Sequence, residues 1–275
     1  MPLYQAIILA IVQGITEFLP ISSTAHLVLV PWFLGWQDPG LTFDIAVHAG
    51  TLVAVLAYFR RDWVDLFKAG LGWGDPSSQE IRENRRLLFY LAVATVPGGL
   101  AGFFLKSFAE SDFRHPFVIA GALIFVGLIM WQADRRSGLR KNLGKVTLGD
   151  ALIVGLAQAT AIVPGVSRSG ATITAGLFLH MRREAAARFS FLLSAPLIGG
   201  AALKTGLEVW EAGLAPAMRW PFAVGMIVSA LVGYLVIFWF LRYLQRSNFR
   251  IFVVYRLALG VLILVLGMGM RYHLW

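Results

Sequence analysis

The chain has no cysteine among its 275 residues, and only 14% of those residues are charged. The first absence removes disulfides, thiolate metal sites and cysteine nucleophiles. The second, alongside 58% hydrophobic residues and a mean hydropathy of +0.71, removes a water-soluble globule, which could not hide so much apolar surface. Acidic side chains number 15 against 24 Lys and Arg. The net charge of +9 would suit nucleic acid. The cations gather between apolar runs, however, as loop charges that orient a membrane protein do, so no nucleic-acid partner is expected. Neither G-x-x-x-x-G-K-[ST] nor H-E-x-x-H occurs. Thr174, not His, stands six residues after Arg168, so the common membrane acid-phosphatase motif is missing too. The start, Met1-Pro-Leu-Tyr, has no basic stretch and no small-residue cleavage site follows it, which argues against a removable signal peptide.

What the chain does have is apolar runs of membrane-crossing length. Six predict full spans, at 43–59, 87–105, 116–133, 185–206, 220–241 and 251–270. Two more runs, 3–35 and 148–181, are interrupted by polar residues and by Pro20 and Pro164, which disfavour continuous helix. Each is too long for one span and short for two. Each therefore reads as a re-entrant hairpin of two half-helices, tolerated only where protein or a wet cavity surrounds it. The expected fold is an all-α integral membrane protein with six transmembrane helices and two re-entrant helical hairpins.

The order is hairpin, three spans, hairpin, three spans. Gln13 and Gln158 lie 145 residues apart, and Phe43 and Phe189 lie 146 apart. Three spans is an odd number, so the second unit must be inverted relative to the first, a transporter-like inverted-topology repeat. The expectation is one membrane domain, 1–275, built from repeats 1–135 and 147–271. With the first hairpin's mouth outside, 18 of the 24 Lys and Arg residues fall inside, Arg256 among them. Lys106, Arg114, Lys204, Arg219 and Arg271 fall outside, and Arg168 lies within the second polar run.

Both polar runs read as an apolar helix, a break, then a Ser-rich start of a new helix. Helix N-termini present unpaired N–H groups and the positive end of a dipole, and two of them brought together would bind a polyanion. Ser22 or Ser23, and Ser167 or Ser169, are the candidate caps. Arg168 supplies a planar fork for phosphate oxygens, and Gly165 and Gly170 allow close backbone approach. Gln13 and Glu17, four residues apart, share a helix face and could hold Mg²⁺ or Ca²⁺. His26 lies three residues beyond Ser23, an imidazole beside a hydroxyl. His48 sits mid-span and is a weaker candidate; His115, His180 and His273 sit near segment ends and read as interfacial.

These residues carry a resemblance. Gln13-x-x-x-Glu17-x-x-Pro20-x-Ser22-Ser23-Thr24-x-His26, with Pro164-Gly165-Val166-Ser167-Arg168-Ser169-Gly170-x-Thr172, resembles the bacitracin-resistance family of bacterial inner-membrane proteins, the undecaprenyl-pyrophosphate phosphatases. The resemblance runs over the whole chain. It implies removal of the terminal phosphate from undecaprenyl pyrophosphate, dependence on a divalent cation, and sensitivity to bacitracin, which sequesters that lipid. It implies an acid pair on Gln13 and Glu17, a serine/histidine motif on Ser23, Thr24 and His26, and phosphate binding by Ser167, Arg168, Ser169 and Thr172. Gln13 departs from versions with two acids, which leaves one carboxylate for a metal. The favoured roles are Ser23 as nucleophile, with Ser22 or a metal-activated water as the competing choices, His26 exchanging its proton, Arg168 on the pyrophosphate, and Ser22, Thr24 and Gly170 beside it. A transporter or flippase for a lipid phosphate fits the inverted repeat as the alternative. The expected location is the inner membrane with the site facing the periplasm, and a homodimer is left open.

Overall fold

A computed structural model describes residues 1–105 and 115–269. Among them the regular structure is helical: α1 Leu3–Thr16, α2 Ser23–Leu34, α3 Leu41–Tyr58, α4 Arg60–Gly70, α5 Gln79–Phe104, α6 Pro116–Arg136, α7 Leu148–Ala159, α8 Arg168–Phe178, α9 Arg183–Ala212, α10 Pro216–Leu244 and α11 Arg250–Gly269. Lys106, Arg114, Arg271 and His273, which entered the sequence reading, lie outside the described residues.

Among the described residues six helices are long and apolar enough to cross a bilayer: α3, α5, α6, α9, α10 and α11. Each coincides with one of the six expected spans. Their outer faces keep large apolar side chains exposed, Phe103 at 75%, Trp210 at 87% and Trp220 at 75% among them, which is stable only where lipid replaces water. The 60–86 stretch departs from the expected loop. Residues 60–70 form α4, which buries Leu66 and Ala69 and exposes Val64 and Phe67, and α5 begins at Gln79, ahead of its apolar run. Amphipathic spacing over 11 residues is too short to stand out from loop by periodicity alone.

The two interrupted runs form helix pairs α1–α2 and α7–α8. At a rise of 1.5 Å per residue these helices span about 21 Å or less, short of a hydrocarbon core of about 30 Å. Local chemistry fixes their ends. Gly35 in the left-handed region closes α2. Thr147 and Asp150 make a reciprocal capping box at the start of α7, and Lys141 Nζ sits 2.9 Å from both Asp150 oxygens.

Packing follows the sequence offset. α1 lies on α10, and its counterpart α7 lies on α5; α3 meets α9, and α6 meets α11. Phe43 and Phe189, the paired openings of α3 and α9, are both buried. This arrangement is compatible with an inverted repeat. The break after α1 is anchored by Phe18, fully buried with its ring edge-on to Phe191 at 5.2 Å. Such a contact contributes about 0.5–1.5 kcal/mol beyond the area it buries. It fixes the backbone on either side, and Glu17 is its immediate neighbour.

Candidate active site

Two serines stand where serine is rarely found. Ser22 has φ 76° and Ser167 has φ 71°, both in the region that favours glycine, and both are helix N-caps. Ser22 Oγ accepts from Ala25 N–H at 3.4 Å, and Ser167 Oγ accepts from Gly170 N–H at 3.0 Å. Backbone of this kind costs about 1–3 kcal/mol per residue and persists only where its surroundings impose it. Here the surroundings are each other. Gly165 N–H donates to Ser22 Oγ at 3.1 Å, and Ser169 Oγ lies 3.2 Å from the Glu17 carbonyl and 3.1 Å from that of Leu19.

Arg256, fully buried in α11, clamps the two breaks together. Its Nη1 donates to the Pro20 carbonyl at 3.0 Å. Its Nη2 reaches the carbonyls of Gly165 at 2.7 Å, Val166 at 3.1 Å and Ala122 at 3.3 Å, and Nε reaches that of Leu123 at 3.2 Å. The guanidinium thus binds main chain from both breaks and from α6. It holds those oxygens on its own side of the loops.

The charged centre lies where the two N-termini meet. Glu17 Oε1 accepts from Arg168 Nη2 at 2.6 Å. Glu17 Oε2 accepts from Ser23 Oγ at 2.6 Å and from Gln13 Nε2 at 3.0 Å, with His48 Nε2 at 3.3 Å. Arg168 Nη1 is buried and has no hydrogen-bond partner among the described residues. A cavity of about 340 Å³ opens beside these groups. Glu17, Asp44, Ser23, Thr24, His48, Gln158, Ser167 and Arg168 line its polar side, and Leu41, Ile45, Leu197, Ile198 and Ala201 its apolar side. A larger cleft of about 590 Å³ opens beside Leu139, Arg182 and Arg188, but no residue of either motif faces it. The chemistry converges on the smaller cavity.

Several expected roles change here. Ser23 does not pair with His26. His26 Nδ1 lies 2.6 Å from the Ser22 carbonyl, so that nitrogen must carry a proton, and Nε2 accepts from Tyr255 Oη at 2.6 Å. Both ring nitrogens are engaged, and the group positioned to take the Ser23 proton is Glu17. Arg168 does not offer its whole fork to a ligand, since Glu17 holds one arm. Ser22, Ser169, Gly170 and Thr172 do not line the cavity. Their oxygens serve the protein: Thr172 Oγ1 donates to the Arg168 carbonyl at 2.8 Å, with Ser190 Oγ at 2.7 Å.

Gln13 and Glu17 do not form a dedicated cation cage. Gln13 turns its N–H to Glu17, keeps its own Oε1 buried without a partner, and does not face the cavity. Among the described residues no three His, Cys, Asp or Glu side chains cluster as metal ligands. Two carboxylates, Glu17 and Asp44, line the cavity.

The residues that sequence reasoning underrated are His48, Gln158, Tyr255 and Arg256. His48 Nδ1 donates to the Asp44 carbonyl at 2.6 Å, which aims Nε2 at Glu17. Arg256 was counted with the inside loop cations. It stands well inside the apolar run of α11, and an arginine that deep in a span is itself a signal.

The family model of bacitracin resistance protein BacA matches residues 6–262. The chain is 51% identical to the undecaprenyl-diphosphatase of Moorella thermoacetica, covering 96% of this chain and 97% of that protein. It is 46% identical to the protein of the same name from Desulforudis audaxviator, covering 96% and 98%. It is 44% identical to that of Pelotomaculum thermopropionicum, covering 99% of each.

The clamp makes a prediction. Arg256→Met leaves carbonyls from both breaks without donors, at about 1–3 kcal/mol for each that stays dry. Its melting temperature in detergent should fall well below that of the unsubstituted protein, with Arg256→Lys intermediate. Equal melting temperatures for Arg256→Met and the unsubstituted protein would remove the clamp.

Proposed function

The chain belongs to the bacitracin resistance protein BacA family, and from that premise we propose that it hydrolyses undecaprenyl pyrophosphate to undecaprenyl phosphate and inorganic phosphate. The observation that carries this reading is the convergence of Ser23, Glu17 and Arg168 at two helix N-termini on one cavity. A hydroxyl with an adjacent base, a free guanidinium arm and two dipole ends are what attack on a phosphate needs. The apolar wall of the cavity suits the first part of a prenyl chain. Nothing in the relatives' names favours a lipid transporter.

On this reading Ser23 Oγ attacks the terminal phosphorus while its proton passes to Glu17. The bond from phosphorus to the bridging oxygen breaks, and Glu17 returns the proton to the departing lipid phosphate or to a solvent group. Arg168 stands between the carboxylate and the transferred group, with Nη2 on Glu17 and Nη1 free for a phosphate oxygen. The N–H groups that follow Ser22 and Ser167 complete the anion site. His48 orients Glu17 from the other side. A bound divalent cation would neutralise pyrophosphate charge, with the cavity carboxylates Glu17 and Asp44 the residues that would hold it. Bacitracin acts, on this reading, by withholding the lipid rather than by touching the protein.

The two helix pairs are read as re-entrant hairpins of inverted repeats in the bacterial inner membrane, with the cavity open toward the periplasm. The cation bias supports that orientation even with Arg256 removed from the inside count. Because the chain has no cysteine, single cysteines report it directly. Asp38→Cys should react with an impermeant thiol reagent from outside and Arg82→Cys should not; the opposite pattern inverts the topology.

Phosphate release by purified protein from undecaprenyl pyrophosphate tests the activity itself. Ser23→Ala should leave almost none, and a ³²P-labelled enzyme trapped by rapid quench should vanish with it. Turnover above about a tenth, a loss of only about 1.4 kcal/mol of barrier, makes water the nucleophile instead. Arg168→Lys should lose at least about a hundredfold, roughly 2.7 kcal/mol, because one ammonium cannot both hold Glu17 and reach the phosphate. A near-normal rate in folded Arg168→Lys refutes the bridging role.

A further inference from the structure

Gln158 is the counterpart of Gln13 in the second half of the chain, but its amide is used differently. It sits at the end of α7 and is 2% exposed. Its Nε2 donates to the Ala94 carbonyl of α5 at 3.3 Å, whereas Gln13 gives its Nε2 to Glu17. Its Oε1 is buried and accepts from no protein group. The side chain lines the same cavity as Ser23, Glu17 and Arg168. α5 makes room for it: a Cβ on Gly98 would lie 2.9 Å from Gln158 Nε2. Unlike Gln13, whose oxygen is equally unpartnered, Gln158 lines the cavity, so its oxygen is the one that a donor entering there can satisfy.

The chemistry of the visitor narrows the choice. Pyrophosphate offers chiefly acceptor oxygens, which an amide oxygen repels. Hydrolysis also consumes a water, and water is a donor. We propose that Gln158 Oε1 positions the water that completes hydrolysis, as a glutamine does in other phosphoryl-transfer sites. This rests on the covalent reading of Ser23. The water oxygen bonds to the phosphorus of phosphoserine, and the bond from phosphorus to Ser23 Oγ breaks. One water proton passes to Glu17 and from there to Ser23 Oγ. The other, which Gln158 holds, leaves with inorganic phosphate. The tie to Ala94 fixes the direction from which the water approaches.

The test separates the two chemical steps by rapid quench with terminally ³²P-labelled undecaprenyl pyrophosphate. Gln158→Met keeps the length and removes the acceptor. The first-turnover burst should stay within about twofold, steady-state release should fall at least about tenfold, and labelled enzyme should accumulate. Gln158→Glu, which restores an oxygen, should accumulate less. Should Gln158→Met fail to fold, Gln158→Asn withdraws the oxygen by one methylene and gives the same readout. A burst and a steady-state rate that fall together, or a steady-state rate that does not fall, overturn the inference while the covalent reading stands. Absence of any labelled intermediate in the unsubstituted protein overturns the covalent reading and this inference with it.

Discussion

One ion pair organises this molecule. Glu17 and Arg168 come from breaks 151 residues apart in sequence and meet at 2.6 Å in a region where neither charge could be left alone. Removing one partner of such a pair costs about 3–5 kcal/mol, because the other charge stays buried. Replacing both with apolar residues would often cost nothing. The pair is therefore weak evidence for stability and strong evidence for use. Everything near it serves to hold it in place or to exploit it. Ser23, Gln13 and His48 complete the carboxylate, Phe18 anchors the backbone beside it, and the cavity opens on the guanidinium arm that Glu17 leaves free.

The strain in the two serine caps belongs to the same design. A left-handed Ser22 or Ser167 turns the chain sharply at the very residue where the helix begins. Each cap then takes an N–H of the helix it opens, Ala25 N–H on Ser22 Oγ and Gly170 N–H on Ser167 Oγ. In water a frayed helix start is satisfied by solvent, but at membrane depth it must find protein or ligand. The cavity lies beside both of these helix starts.

Much of this was legible in the sequence, and the physical reason is the membrane. Hydrocarbon demands long unbroken apolar helices, so the six spans stand out by hydropathy. The same demand makes Pro20 and Pro164, with their flanking serines, conspicuous as exceptions. Glu17, Ser23 and Arg168 could be named because polar side chains are few there. Their roles were less legible, because role depends on rotamer and on partners distant in sequence. Spacing put Ser23 and His26 on one helix face, yet the His26 ring is drawn to the Ser22 carbonyl and to Tyr255, 229 residues away. Helix α4 was missed because a short amphipathic stretch between charges resembles loop. Charge counting groups Arg256 with the loop cations that precede it, although it lies within α11 and is fully buried. Only the fold reveals that its partners are carbonyls from three separate segments.

That choice of partners has a consequence for how this protein can change. Arg256 grips main-chain oxygens of Pro20, Gly165 and Val166, not their side chains. A peptide carbonyl is the same whichever residue supplies it. The grip itself does not read side chains, but the path it holds does: Gly165 has φ 94° and a Cβ there would lie 2.6 Å from the Ile119 carbonyl, while Ser22 Oγ holds the Gly165 N–H. Change at the breaks is therefore confined to side chains that neither cap a helix nor crowd Gly165, while the arginine serves whatever sequence keeps that path.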